Sequence, residues 1–182
     1  SDFVKNINRE FTVLTQKSAL LKLPDFQRSL HNTEGDYNEW VPLQDASFYS
    51  MDAQNIQYGG GHSKIEFCDL LQKERNFIHV KKYGGSSVFS HLFNQGVVSG
   101  ELFVSDEKFR KLVIEKIPNN LSIFKSLIPK GRPDARDYTV IFAVISSKTL
   151  NLPFFSKITL KNAKRTLEGY GYNVFLIKVG VS

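Results

Sequence analysis

Apolar positions along the chain change their spacing several times, and each change marks an element. Phe3, Ile7, Phe11 and Leu14 recur at helical intervals with Asp2 placed to cap, which predicts a helix over roughly the first 16 residues. The pattern continues or restarts through Ala19–Leu23 and stops before Pro24. Asp25–Asn38 is polar and turn-rich and reads as a loop. Ala46–Met51 is short and aromatic, a first strand, and Gly59-Gly60-Gly61 breaks the chain. Lys64–Leu71 and Phe77–Lys82 are strand-like runs around the polar Gln72–Asn76, a hairpin with a five-residue loop. Gly84-Gly85 ends the second run, and Ser86 or Ser87 caps a helix to about Phe103.

A second helix starts at Ser105 or Asp106, with Phe109, Leu112 and Val113 on one face. Pro118–Asp137 is irregular, with a short helical turn at Leu121–Leu127. Tyr138–Ile145 is continuously apolar and predicts a central strand buried on both faces. Ser156 or Thr159 caps a helix through Glu168, which Gly169 and Gly171 stop, and Tyr172–Val179 closes as a strand. The order predicts an α/β fold: one mixed sheet with flanking helices, a single domain over residues 1–182 in which 1–36 is a helical lead-in.

Composition narrows the class. With 182 residues, 41% hydrophobic and 23% charged, the chain has material for one packed core, and disordered, collagenous and coiled-coil classes are excluded. The single cysteine, Cys68, forms no internal disulfide and points to a reducing, cytoplasmic setting. No apolar run approaches the ~20 residues of a membrane helix, so no membrane partner is expected, and nothing at the N-terminus reads as a signal peptide. Ser1-Asp2 without a Met reads as an excised piece of a longer protein or a tag remnant. A net charge of +6 fits a nucleic-acid partner without requiring one.

The hairpin carries the sharpest chemistry. If Leu71 pairs with Phe77, strand alternation sets Asp69 opposite His79 and Lys81 opposite Phe67, so an acid, an imidazole and an amine converge. A carboxylate suits Mg²⁺ or Mn²⁺, and a lysine beside it can position the attacking water and offset phosphate charge. Asp52, at the end of the first strand, or Glu66, given a bulge, would complete the site. The alternative is a polar stripe on an exposed strand. On the following helix, Ser87, His91 and Gln95 form a polar stripe at i, i+4, i+8, within reach of water or phosphate or simply solvated. Lys157, Lys161, Lys164 and Arg165 cluster on or beside the last helix, where they would neutralise phosphates or form an ordinary solvated face.

Several tempting motifs carry nothing. GGGHSK lacks the Gly-Lys-Ser/Thr order of a phosphate loop, no G-x-S-x-G elbow is present, Cys68 reads as a small buried hydrophobe, and the four histidines lack zinc-site spacing.

At Asp69 and Lys81 the stretch GGGHSKIEFCDLLQKERNFIHVKK resembles the PD-(D/E)XK, restriction-endonuclease-like superfamily. The helix–three strands–helix–strand order is similar to that superfamily's core. The resemblance implies Asp69 as principal metal ligand, Asp52 or Glu66 as the second, and Lys81 as the water-positioning cation. Where the pattern has Glu or Asp this chain has His79, an atypical ligand or proton-transfer group. IEFCDLL, FIHVK, SHLFNQG and LPFFSK are also similar to a sporadically distributed, mostly uncharacterised bacterial family associated with restriction and phage defence, of whose longer members this chain would be the C-terminal part. Together these imply a DNA-binding, Mg²⁺- or Mn²⁺-dependent nuclease, with RNA as a further substrate class and a homodimer as an assembly. The other expectation is a catalytically inactive nuclease-like module that binds nucleic acid or a protein.

Overall fold

The computed structural model describes residues 1–17, 21–59 and 64–182. In chain order the elements are α1 (Asp2–Lys17), α2 (Glu34–Gln44), β1 (Phe48–Ser50), β2 (Ile56–Gln57), β3 (Lys64–Ile65), β4 (Leu70–Gln72) and β5 (Asn76–Lys82). There follow α3 (Ser86–Ser105), α4 (Glu107–Lys116), α5 (Ser122–Lys125), a 3₁₀ turn (Ala135–Asp137), β6 (Thr139–Ile145), α6 (Phe154–Tyr170) and β7 (Asn173–Val179). Five strands form one sheet in the order β1-β4-β5-β6-β7, and β2 and β3 form a separate ribbon. β4 runs antiparallel to both β1 and β5, whereas β5, β6 and β7 are mutually parallel. The fold is a mixed α/β sheet with flanking helices.

The central position of β6 follows from its sequence. Val140, Phe142 and Val144 enter one core with Phe89, Phe93, Phe103 and Leu167. Ile141, Ala143 and Ile145 enter a second, on the other face, with Phe26, Tyr37 and Val41. A strand covered on both faces needs apolar residues at both parities, which is why TVIFAVI shows no alternation. The lead-in segment is tied to this body: α1 packs on α6 and β7, and Phe26 bridges to Val181.

Four expectations differ from the structure. Asp25–Asn38 is not all loop, because α2 begins at Glu34 under a capping box: Thr33 Oγ1 accepts from the Asp36 N–H, and Asp36 Oδ2 accepts from the Thr33 N–H. Lys64–Leu71 is not one strand, since pairing lapses over residues 66–69 between β3 and β4. The hairpin loop is Lys73–Arg75, three residues rather than five, because Gln72 and Asn76 pair and Arg75 takes a left-handed φ of 62°. Of the extension Ala19–Leu23, residues 19 and 20 lie outside the described residues and 21–23 are not helical. Among the described residues no helix is long and apolar enough to cross a membrane.

Candidate active site

The site grows from an incomplete strand pairing. β4 pairs with β5 only at Asn76–Ile78, so beyond that point β5 presents the N–H groups of Val80 and Lys82 to an edge without a strand. Unpaired N–H groups on a partly buried edge need acceptors. Two carboxylates supply them. Asp69 Oδ2 accepts from the Val80 N–H at 2.6 Å, and Glu34 Oε1 accepts from the Lys82 N–H at 3.1 Å.

Asp69 reaches this position because the chain bulges there. Its N–H donates to the Ile78 carbonyl at 2.9 Å, although Leu70 is the register partner of Ile78, and its carbonyl accepts from the Met51 N–H at 2.8 Å. With its backbone pinned on both sides, the carboxylate turns into the sheet edge rather than onto a face.

Charge gathers around that carboxylate. Burial pushes the Asp69 carboxyl up to about 7, and the neighbouring Asp52 and Glu66 carboxylates push in the same direction. The Val80 N–H and the Lys81 ammonium oppose them. Lys81 Nζ stands 3.7 Å from Glu34 Oε1. Burial also opposes ionisation of Glu34, but the Lys82 N–H, its own N–H and the Lys81 and Lys82 charges outweigh it and hold that carboxyl below the ordinary range. Gln95, on α3, donates from Nε2 to Glu66 Oε2 at 3.2 Å. Asp52 Oδ1 accepts from the Ala53 N–H at 3.0 Å. Its Oδ2 lies 3.1 Å from where a Cβ on Gly35 would stand, so a side chain at residue 35 would require the Asp52 carboxylate to shift by a few tenths of an ångström.

The structure thus brings Asp52, Glu66, Asp69, Lys81 and Gln95 into one region and adds Glu34. His79 is not among them. It is 2% exposed, its ring lies 5.9 Å from that of Phe142, and burial lowers its imidazole to about 4. His79 keeps the parity of Phe77 and faces the α3 core, whereas the bulge takes Asp69 off that face, so the two do not oppose each other. His91 is exposed on α3, one turn before Gln95. The basic residues of α6 pack against α1 instead of the acids: Lys157 donates to Asn8 Oδ1 at 2.9 Å, Lys161 pairs with Glu10 at 3.1 Å, and Lys164 pairs with Glu168 on its own helix. Arg165 lies on the exposed side of α6. Glu34 is the residue that sequence reasoning missed; the signal was the Thr33-x-x-Asp36 capping box, which sets Glu34 in the first turn of a helix.

The model for a family of unknown function, DUF6119, matches residues 1–180. The chain belongs to DUF6119. No curated protein and no solved structure matches it. For this member of DUF6119, then, chemistry is read from the site itself.

Metal-binding capacity can be judged on the donors present in this DUF6119 chain. Among the described residues no group of three or more His, Cys, Asp and Glu side chains is placed to hold a metal ion. Mg²⁺ is commonly held by only one or two protein carboxylates, with waters completing its shell. Asp69 Oδ1 and Asp52 Oδ2 are hard oxygens that accept no hydrogen bond among the described residues. Asp69 and Asp52 thus supply the hard-oxygen donor type that Mg²⁺ takes.

Proposed function

We propose that this domain is a metal-dependent phosphodiesterase acting on nucleic acid, restriction-endonuclease-like in arrangement and cytoplasmic, with DNA as the principal substrate and RNA as a further one. The observation that carries the reading is the Asp69 carboxylate: held at the open edge of β5, raised to about 7, and flanked by Asp52, Glu66 and Lys81. The resemblance of the hairpin to the PD-(D/E)XK pattern supports it, and a restriction or phage-defence role is part of the proposal.

Asp69 and Asp52 would hold Mg²⁺ or Mn²⁺, which when bound supplies charge for the phosphate and acidifies a coordinated water. Lys81 is loosely paired with Glu34, both side chains reaching solvent, so its ammonium is free to turn toward an incoming phosphate or its attacking water. Gln95 holds Glu66 in position. A carboxyl that titrates near 7 gives up its proton when a cation binds, so cation affinity falls with pH below about 7.

A second reading is favoured by one observation: Asp69 and Glu34 already serve as acceptors for the β5 edge, which a binding module without catalysis also needs. Isothermal titration with Mn²⁺ separates the two. The nuclease reading predicts saturable binding at pH 8, roughly tenfold weaker at pH 6, and lost in Asp69→Asn. Wild type that takes up no Mn²⁺, or no more than Asp69→Asn, leaves the binding module.

A further inference from the structure

The second site lies at the carboxyl ends of the parallel strands, the place where open α/β sheets commonly receive ligands. Residues from four chain segments meet there around a pocket of about 580 Å³: Lys82 and Tyr83 at the end of β5, Ile145–Lys148 at the end of β6, Val181 after β7, and Phe26, Arg28, His31 and Asn32 closing one side. No Asp or Glu lines it, whereas Arg28, Lys82 and Lys148 all do. The groove between α1 and α6 differs, because there Glu10 and Glu168 sit among the cations and pair with two of them.

The Tyr83 and Ser146 hydroxyls of this pocket already donate to the Asn151 and Lys148 carbonyls, so its free capacity lies with the cations. Lys82 Nζ donates to the Asn32 carbonyl at 2.5 Å and lies 4.7 Å from the centroid of the Phe26 ring, which fixes its position and leaves further N–H bonds. Ser146 exchanges hydrogen bonds with Lys148, so the turn after β6 is held in place. Arg28 and Lys148 are exposed, and neither side chain has an acidic partner among the described residues. His31 forms part of the wall: its Nδ1 accepts from the Gln27 N–H at 3.0 Å, which sets the hydrogen of the neutral ring on Nε2, and Nε2 finds no acceptor. The nearest carboxylate acting on that ring, Asp36, is engaged by the Asn32 and Thr33 N–H groups at 2.7 and 2.8 Å.

We infer that the pocket formed by Arg28, Lys82, Ser147 and Lys148 at the carboxyl ends of β5 and β6 binds a phosphate group, free or as a phosphate ester of a nucleotide or nucleic-acid backbone. Three cations and the Ser147 hydroxyl, in a lining that holds no carboxylate, match an oxyanion in charge and in hydrogen-bond sense. The inference goes beyond the cleavage reading; Lys82 touches that site through its backbone N–H and its charge on Glu34, so the test rests on Arg28 and Lys148.

Titration calorimetry of the whole chain with inorganic phosphate, a 5′-mononucleotide and a short oligonucleotide tests it. Trp40, the single tryptophan, stands 4.8 Å from the His31 ring and gives a second readout by fluorescence. The expected result is saturable binding of at least one probe, weakened tenfold or more in Arg28→Ala/Lys148→Ala. Melting should be unchanged, because both side chains are exposed. Binding of all three probes assigns a free phosphate or nucleotide; binding of the oligonucleotide alone assigns the backbone. Lys161→Ala/Lys164→Ala removes the same charge elsewhere. An equal loss in that control, or no binding of any probe by wild type, overturns the inference.

Discussion

Asp69 and His79 are two buried titratable residues displaced in opposite senses, and their opposition sets how stability depends on pH. The Asp69 carboxyl is raised to about 7, so its contribution is fullest below its unfolded value of 3.8 and is lost as pH rises toward 7. The His79 imidazole is lowered to about 4, so its contribution is present above 6.5 and is lost as pH falls toward 4. Between about pH 4 and 6.5 the two slopes oppose, each spanning at most about 3–4 kcal/mol by linkage. Urea midpoints measured from pH 4.5 to 7.5 should therefore diverge in the single variants. Relative to wild type, Asp69→Asn should gain stability with rising pH, and His79→Leu should gain it with falling pH. Variants that track wild type in parallel would show that neither group is perturbed. At this scale the pairing of Leu71 with Phe77 was legible in the hairpin pattern and is present. The meeting of Asp69 with His79 was not, because a single bulged residue turns a carboxylate from a sheet face into the edge, and no periodicity announces it.

Among the elements, legibility followed burial. β6 and β7 are apolar because they are covered, and α4 follows its Asp106 cap, whose side chain accepts from the Phe109 N–H at 2.9 Å. α2 escaped because EGDYNEWVPLQ spreads its apolar residues around the helix and contains Pro42; a cap starts it and the second core holds Tyr37 and Val41. The interval between β3 and β4 escaped because the apolar positions of IEFCDLL continue through residues that bury side chains without pairing. The packing of α3 gives a sharp prediction. A Cβ on Gly96 would stand 2.5 Å from Phe142 Cε1, so the fully buried Phe142 ring or α3 itself would have to shift. Helix propensity alone favours Gly96→Ala by up to about 1 kcal/mol, but overpacking of a close-packed core typically costs about 1–3 kcal/mol. The variant should lose a net of up to about 2 kcal/mol of stability, read as a lower urea midpoint; a raised midpoint would mean that α3 can slide outward at little cost.

For the whole molecule, the net charge of +6 is distributed in a way that composition does not reveal. The basic face of α6 is partly neutralised by α1, the acids gather at the open edge of β5, and an acid-free basic pocket lies at the strand ends. Such a distribution suits a phosphodiester chain that is held by cations and approached by carboxylates at one end of the sheet. The direct measurement is cleavage of linear and supercoiled DNA, single-stranded DNA and RNA with Mg²⁺ or Mn²⁺, using wild type, Asp69→Asn and Lys81→Ala. The predicted result is metal-dependent cleavage by wild type that falls by roughly 10² or more in each variant, while Asp69→Asn melts no lower than wild type at pH 8. Wild type inert on every substrate with either metal, or Asp69→Asn cutting as fast as wild type, would contradict the assignment of a nuclease to this site.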